Sequence, residues 1–432
     1  MHQHYLEKTS KLIFLILYLS MYVSLYLGED TLGAAKSDYV NHKLNASYFI
    51  NNIFQSLLIY DTYDAAHSPI FLIIQSLFLK YFDNDIYFKI LNLNINIFII
   101  FIFYNALKLL FGSNIKNYLL IFSCVIFISP TFRSSSVWPD SFLCGLLFFV
   151  CSIYFFIKFK KKNKGKFKNS ILNTFFLAIS SYISPNFAIL VIIYFFEFFR
   201  FFKFSKELLC LIIFNFVLAF PALYYVFVLD IFFFSTRGRY NDDLKILSLR
   251  NLSNKIIIFP TIVFFHFLFL LFTTLKNKEN KKKIKIILEL TIIISIISIA
   301  SYYFDYKNIY NNLGGGGIFY KISNILFNNN LLLFLFSLLS LIFVNKYIIQ
   351  SKLKNFFILL LILASFPQGR IYHQYFELIL FFSIFCLMDL KITSNFFIIK
   401  KNLLYTYFSF FIFWFLSLIK ISLNKGFFKI FN

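Results

Sequence analysis

Long apolar runs recur along the whole chain, and short clusters of lysine separate them. A run of about twenty apolar residues can cross the hydrocarbon core of a bilayer as one helix. Of the 432 residues, 59% are hydrophobic and 14% are charged, whereas about a quarter of the residues of a soluble domain are charged. The sequence therefore predicts an all-α polytopic membrane protein.

The net charge of +23 is also informative. In a soluble protein such a charge would indicate a nucleic-acid partner. Here the basic residues lie between apolar runs, which is the arrangement that orients helices with their basic loops in the cytoplasm. We therefore expect membrane lipids, and no nucleic acid, as partners. The densest cluster holds seven lysines, at positions 158, 160, 161, 162, 164, 166 and 168.

These lysine clusters favour a topology with about thirteen transmembrane helices and one interfacial helix. The segment 68–82 is too short to cross comfortably, and Pro69 suits the first turn of a helix. If this segment lies in the membrane surface, every dense lysine cluster falls on the cytoplasmic side. The predicted spans are about 12–27, 86–111, 117–130, 141–157, 171–183, 186–200, 208–228, 255–274, 286–303, 325–346, 355–366, 375–389 and 403–421.

The first apolar run has an alternative interpretation as a cleaved signal peptide. No small-x-small cleavage pattern follows that run, which favours a retained first helix with its N-terminus in the cytoplasm. The loop that follows, residues 28–67, then lies outside and carries an excess of acidic residues.

Glu29 and Asp30 open this first outer loop, directly after the first predicted helix. Acidic residues beside a membrane helix are costly to retain and are frequently functional. A carboxylate can act as a general base toward a hydroxyl or an amine, and an adjacent pair can share a divalent cation. A solvated helix end is the alternative for this pair.

The same topology gathers further polar residues on the outer face. Arginine and histidine can neutralise a phosphate leaving group as its charge develops. Asp140 follows a proline and serves equally well as a plain N-cap of the fourth span, and Arg370 and His373 could be interfacial anchors. The candidate substrate- and phosphate-binding residues are His67, Arg133, Arg237, Arg239, Arg370, His373 and Glu377.

The order of these features resembles the membrane-embedded GT-C glycosyltransferases, which use polyprenyl-phosphate sugars. It is most similar to their protein O-mannosyltransferase and aminoarabinose transferase branch. The shared features are the acids after helix 1, a Pro-containing amphipathic helix, an Asp in a Pro/Ser-rich turn before helix 4, and a basic loop after it. His67-Ser68-Pro69 departs by one serine from the family's His-Pro-Pro or Lys-Pro-Pro. The resemblance covers about residues 1–200 by layout and the rest by span count only.

This resemblance implies a GT-C-like fold with a catalytic module over residues 1–200, whose first outer loop (28–67) holds the active site. Residues 201–432 would complete one membrane domain, and no soluble C-terminal domain is expected. The implied location is the bacterial inner membrane, with the active site on its periplasmic face. The implied reaction is an inverting transfer of a sugar from a polyprenyl-phosphate donor to a lipid or glycan acceptor.

The resemblance also implies roles for individual residues. Asp30 would be the general base, supported by Glu29, and a divalent cation bound by this pair is possible. Asp140 would position the acceptor or the donor. The arginines at positions 133, 237, 239 and 370 are candidates for contact with the donor phosphate.

Two other functions stay open. A flippase or transporter of lipid-linked sugars would bury charged groups near the membrane midplane, often within repeated halves, and the sequence shows no internal repeat. A polysaccharide polymerase or ligase would have a large late external loop, whereas the longest loop here is the first.

Overall fold

The computed structural model describes residues 2–31, 35–63, 69–82, 84–227, 249–274, 283–306, 315–366, 369 and 371–424. The fold is about 85% helical, and the described residues contain no β-strand. The all-α prediction is therefore confirmed. The chain forms two compact units, of which unit 1 comprises residues 1–127 and 132–241, and unit 2 comprises residues 128–131 and 242–432.

Unit 1 contains the first eleven α-helices and several short 3₁₀ turns, except that residues 130–131 at the start of α7 belong to unit 2. They are α1 His2–Leu27, α2 Ala35–Ser47, α3 Ile53–Leu58, α4 Pro69–Tyr81, α5 Ile86–Phe111, α6 Lys116–Ser123, α7 Pro130–Val137, α8 Ser141–Lys161, α9 Lys166–Ile183, α10 Val191–Phe202 and α11 Lys206–Phe227.

Unit 2 contains the remaining helices and one π-helical turn, Val344–Ile349. They are α12 Leu249–Phe267, α13 Phe269–Thr274, α14 Lys283–Tyr302, α15 Gly317–Phe327, α16 Leu331–Phe343, α17 Leu353–Ala364, α18 His373–Cys386, α19 Ser394–Ile398 and α20 Lys400–Asn424.

Seven described helices are long and apolar enough to cross a membrane, or eight if the bent pair 113–128 and 130–137 is one span. The seven helices coincide with seven of the predicted spans and the bent pair with an eighth, which supports an integral membrane protein with several crossings. They are 4–27, 86–111, 141–161, 185–202, 206–224, 331–349 and 400–419.

The other five predicted spans are helical, but the thirteen-span topology is not confirmed. The helices α17 and α18 have only 12 and 14 residues, and α14 begins with a turn that holds Lys283 and Lys285. The sequence of α9 includes two lysines and several amides and hydroxyls, and α12 begins with a polar turn. These helices are shorter or more polar than a span of about twenty apolar residues.

The segment predicted to be an interfacial helix is helical. The helix α4 has 13 residues, which gives a length of about 20 Å and is short of the roughly 30 Å hydrocarbon core. Its position in the membrane surface stays a prediction. The first loop also folds, because α2 packs along α4. Residues Tyr39 and Phe71 from these two helices share an apolar cluster with Phe88 and Ile183.

The closest helix pair in unit 1 is α8 against α9. A Cβ built at Gly145 would lie 2.9 Å from Ser184 Cβ and 3.3 Å from the Ser180 carbonyl oxygen, so the glycine permits this approach. The Ser180 hydroxyl donates to the Gly145 carbonyl at 2.7 Å. Farther along, Asn173 Nδ2 donates to the Ser152 carbonyl at 2.8 Å. Small residues and interhelical hydrogen bonds of this kind hold helices together where apolar surroundings supply no hydrophobic drive.

Candidate active site

The first acidic pair follows a sharp end of α1. Gly28 adopts a left-handed conformation with φ +61°, and its N–H donates to the Leu25 carbonyl at 3.2 Å while the Glu29 N–H donates to the Ser24 carbonyl at 2.9 Å. These two hydrogen bonds form a Schellman motif. Glycine is favoured at its left-handed position because it lacks a Cβ. The chain therefore leaves the helix abruptly, and Glu29 and Asp30 stand at its end.

Glu29 forms an ion pair with Arg133. The Arg133 Nε donates to both carboxylate oxygens of Glu29, at 2.9 and 3.0 Å, and Nη2 donates to Oε2 at 2.8 Å. The two side chains are only 10% and 9% exposed. Sequence reasoning assigned both residues to the outer face, and unit 1 brings them into direct contact.

The remaining donors of Arg133 also have acceptors. The Nη1 group donates to Ser20 Oγ at 3.2 Å and to the Phe127 carbonyl at 3.1 Å, and Nη2 donates to Ser24 Oγ. Arg133 thus ties the start of the first loop to α1 and to the turn that precedes α7. A donor phosphate would have to compete with all of these acceptors for the guanidinium.

Asp30 accepts two backbone hydrogen bonds from the start of α2. Its Oδ1 accepts from the Ala35 N–H at 3.1 Å and its Oδ2 from the Lys36 N–H at 3.3 Å. Asp30 therefore has a structural role at this helix end, in addition to its predicted role as the general base.

Asp140 is the N-cap of α8, as the Pro139-Asp140-Ser141 sequence indicates. Its Oδ1 accepts from the Leu143 N–H at 2.7 Å, and Ser135 Oγ donates to Oδ2. Burial raises the pKa of Asp140 to about 6, and the hydrogen bonds from Leu143, Ser135 and Phe142 oppose this shift only in part.

Asp38 is the third carboxylate of this region, and sequence reasoning did not include it among the site residues. It lies in the first turn of α2. Burial of the carboxyl raises its pKa from 3.8 to about 6, with further contributions from the Asp140 and Asp30 carboxylates. More than a third of the residue's surface is nevertheless exposed. Such contributions require only that the Asp30 and Asp140 carboxylates lie within electrostatic range of Asp38. We refer to Asp30, Asp38 and Asp140 as the carboxylate cluster.

Aromatic and cationic side chains lie beside the carboxylate cluster. The Trp138 indole N–H donates to the Glu29 carbonyl at 3.1 Å, and the Trp138 and Tyr39 ring centroids are 5.8 Å apart. The Lys89 ammonium lies 4.4 Å from the Trp138 ring centroid, and the Lys36 ammonium lies 5.6 Å from it. Contacts of this length between an ammonium and a ring face are attractive.

A direct hydrogen bond also joins the first loop to α7. Thr31 Oγ1 and Ser134 Oγ are 2.8 Å apart, and both residues are buried. On the other side of α7, Asn92 Nδ2 donates to the carbonyls of Ser135 and Ser136, at 3.0 Å each. The Pro/Ser-rich turn is therefore held between the first loop and α5.

His373 and Glu377 lie in unit 2, where both are buried, at 7% and 0% exposure. The Ile318 N–H donates to His373 Nε2 at 3.0 Å, so this nitrogen is the unprotonated one. His373 Nδ1 then carries the proton and donates to His266 Nε2 at 3.0 Å. Both ring nitrogens of His373 are therefore occupied within the protein.

Glu377 lies one turn after His373 on α18. Its Oε2 accepts hydrogen bonds from the hydroxyl and the backbone N–H of Thr131. Its Oε1 is buried and has no hydrogen-bond partner among the described residues. A buried polar atom without a hydrogen bond is costly, so Glu377 is an unusual feature of α18.

The other predicted site residues, His67, Arg237, Arg239 and Arg370, lie outside the described residues. Within the described ranges, no group of three or more His, Cys, Asp and Glu side chains could hold a metal ion. The predicted cation-binding pair, Glu29 and Asp30, directs its carboxylates to different partners, namely Arg133 and the backbone of α2.

Comparison of the chain with protein-family models, with curated proteins and with solved structures finds no match.

Proposed function

We propose that this protein is a membrane glycosyltransferase of GT-C type, which transfers a sugar from a polyprenyl-phosphate donor to a lipid or glycan acceptor at the outer face of the membrane. The supporting observation is the carboxylate cluster. It joins acids from the first loop and from the turn before α8, which are far apart in the sequence, beside the aromatic side chain of Trp138.

The hydrogen bonds of the cluster favour Asp38 over Asp30 as the general base. Both oxygens of Asp30 already accept hydrogen bonds from the α2 backbone, so a proton from the acceptor would have to displace one of these bonds. The pKa of Asp38 is raised to about 6, by burial first and by its acidic neighbours second. A base with a pKa near the working pH is both ionised and strong enough to accept a proton.

The proposed step transfers one proton and one sugar, so two bonds form and two break. Asp38 accepts the proton of the acceptor's hydroxyl or amine, and the acceptor atom attacks the anomeric carbon of the sugar. The bond between that carbon and the phosphate oxygen breaks, and the polyprenyl phosphate leaves with the electron pair. Lys36 and Lys89 lie beside the cluster and would offset the growing negative charge. The arginines at positions 237, 239 and 370 are further candidates for this role.

Mass spectrometry of cell-surface glycans and lipids tests this proposal. A strain lacking the gene is complemented with wild type, Asp38→Asn, Asp30→Asn or the surface control Asp305→Asn. We expect wild type and Asp305→Asn to restore a sugar mass increment, and Asp38→Asn to leave the lipid-linked donor unspent. Full complementation by both Asp38→Asn and Asp30→Asn at matched expression would exclude these acids as the base.

A second candidate function, transport of a lipid-linked sugar, has one observation in its favour. In the part of unit 2 that the structure describes, the side chains of Lys255, His266, His373 and Glu377 are buried inside helices. Lys255 Nζ donates to the Phe366 carbonyl at 2.8 Å. Ionisable groups inside membrane helices often belong to transport pathways.

The two functions differ in the fate of the donor. A transporter moves the lipid-linked sugar and leaves its phosphate bond intact, whereas a transferase breaks that bond. For a transporter, Glu377→Gln would abolish translocation into vesicles while Asp38→Asn would not. For the transferase, Asp38→Asn would prevent donor cleavage.

A further inference from the structure

Two basic junctions of unit 1 lie together. The first, residues 158–168, joins α8 to α9 and carries seven lysines, and the second, residues 200–206, joins α10 to α11 and carries Arg200, Lys203 and Lys206. The Lys166 ammonium lies 4.0 Å from the ring centroid of Phe201. Phe159 also contacts Phe201, at 5.4 Å between ring centroids. We call these two junctions together the basic surface.

Two acids border the basic surface. Glu197 Oε1 lies 3.5 Å from Lys160 Nζ, so it offsets one lysine, and Glu207 follows Lys206. Residues 158–168 contain no acid. The surface therefore keeps a large positive charge, and residues 160–165 are all exposed.

Exposed aromatic rings lie among these cations. Phe204 is 93% exposed and Phe201 49% exposed, and both belong to the second junction. In the first junction, the Lys158 ammonium lies 4.4 Å from the Tyr154 ring centroid. Such a mixture of aromatic rings and lysine is typical of a membrane–water interface. The basic surface also lies at the ends of α8 and α10, which are candidate spans.

We propose that the basic surface is a binding site for anionic phospholipids. The ammonium groups contact the headgroup phosphates, and Phe201 and Phe204 insert between the lipids at the level of the upper acyl chains. Orientation of the helices requires only positive loops. It does not require two junctions to converge, nor phenylalanines to be exposed between them. The aromatic rings favour a lipid over a free phosphate, because a soluble anion offers them no apolar partner.

The test uses the purified full chain in detergent, titrated with phosphatidylglycerol or with zwitterionic phosphatidylethanolamine and observed by native mass spectrometry. The main variant is Lys162→Gln/Lys164→Gln/Lys166→Gln. The matched control, Lys391→Gln/Lys400→Gln/Lys401→Gln, removes the same charge from a lysine cluster of unit 2. A charge-preserving variant, Lys162→Arg/Lys164→Arg/Lys166→Arg, tests whether loss of binding follows charge or misfolding.

We expect wild type, the control and the arginine variant to bind phosphatidylglycerol alike and more tightly than phosphatidylethanolamine. The glutamine variant of the basic surface should bind phosphatidylglycerol at least fivefold more weakly. High salt should weaken binding to wild type, because headgroup attraction is screened. Phe201→Ser/Phe204→Ser should also weaken lipid binding.

Three outcomes would overturn the proposal. One is equal binding of the two lipids by wild type, and another is unchanged phosphatidylglycerol binding in the glutamine variant. The third is full competition by millimolar inorganic phosphate together with unchanged binding in Phe201→Ser/Phe204→Ser, which would identify a free-anion site. An orientation assay with a C-terminal tag accompanies every variant, so that an inverted topology is recognised.

Discussion

Arg133 donates three hydrogen bonds of 2.8 to 3.0 Å to the Glu29 carboxylate, and the two residues are 104 positions apart in the sequence. Both side chains are nearly buried, so each depends on the other for its charge balance. A buried ion pair adds little net stability over an apolar replacement, but removal of one partner is strongly destabilising. This pair therefore holds the first loop in place against the Pro/Ser-rich turn.

We expect Arg133→Met to destabilise the protein by about 3–5 kcal/mol, because Glu29 would stay buried without its counter-charge. The double variant Glu29→Gln/Arg133→Met should recover much of that loss, since no uncompensated charge remains. The measurement is thermal unfolding in detergent, analysed as a double-mutant cycle.

Arg250→Met is the matched control, because it removes an arginine whose pair with Asp305 is exposed, at 74% and 43%. Arg250→Met should lower the free energy of unfolding by no more than about 1 kcal/mol. Equal costs for Arg133→Met and Arg250→Met would contradict the special role of the buried pair.

At Asp140, asparagine and alanine should behave differently. Asparagine can still accept the hydrogen bond from the Leu143 N–H, whereas alanine cannot. We expect Asp140→Ala to cost about 1 kcal/mol of stability and Asp140→Asn to cost much less, because it also removes repulsion from Asp38. The comparison of their unfolding midpoints at pH 7 tests the prediction, and an alanine variant as stable as the asparagine variant would refute the capping role.

The raised pKa of Asp38 predicts a pH dependence with a definite sign. Its ionised form is disfavoured in the folded protein, so its contribution to stability is full below about pH 4 and is lost as the pH rises through about 6. Asp38→Asn should therefore unfold at the wild-type temperature at pH 4 and at a higher temperature at pH 8. If the unfolding temperatures of wild type and Asp38→Asn differ at pH 4 and agree at pH 8, the pKa of Asp38 is not raised in the folded protein.

The same titration should appear in activity. If Asp38 is the base, the transfer rate must rise between about pH 5 and 7 as the carboxyl ionises. The rate of donor consumption in reconstituted vesicles, measured across this range, reports the titration. A rate that is flat from pH 5 to 8 would exclude Asp38 from that role.

At the contact between α8 and α9, Gly145→Ala should destabilise unit 1 by about 1–3 kcal/mol, because the new methyl group would lie 2.9 Å from Ser184 Cβ. Leu147→Met on the same helix is the control, because Leu147 is only half-buried and the volume is conserved; its cost should be below about 1.5 kcal/mol. Unfolding in detergent measures both. If Gly145→Ala leaves the free energy of unfolding unchanged, α8 and α9 can move apart to admit the methyl group without loss of stability.

The helical fold could be predicted because it follows from the spacing and length of apolar runs. Run length also explains which part of the prediction is not confirmed, namely the number of spans. The chain turns before α18 and again after Cys386, so that run forms a 14-residue helix, and a hydropathy pattern does not reveal such turns. The π-helical turn at Val344–Ile349 could not be predicted from the sequence either, since its residues also suit an ordinary α-helix.

At the candidate site, the sequence predicted which acids stand at helix ends but not their partners. The N-cap role of Asp140 follows from local sequence and is confirmed. The pairing of Glu29 with Arg133 depends on how α1 and α7 pack, which no local pattern encodes. Asp38 was missed because its importance comes from the nearness of Asp30 and Asp140. The burial of His373 was missed because a histidine after a loop suggests exposure, whereas His266 on α12 binds it inside unit 2.

The distance along the chain between Glu29 and Arg133 has a consequence for biogenesis. Glu29 emerges from the ribosome 104 residues before Arg133, with which it forms its ion pair, and at about 5–20 residues per second the delay is roughly 5–20 s. Throughout that interval the Glu29 carboxylate lacks the three hydrogen bonds from Arg133, and these can form only after α7 is synthesised. Insertion of the first helix and closure of the first loop are therefore separate events in time, and the second waits for translation.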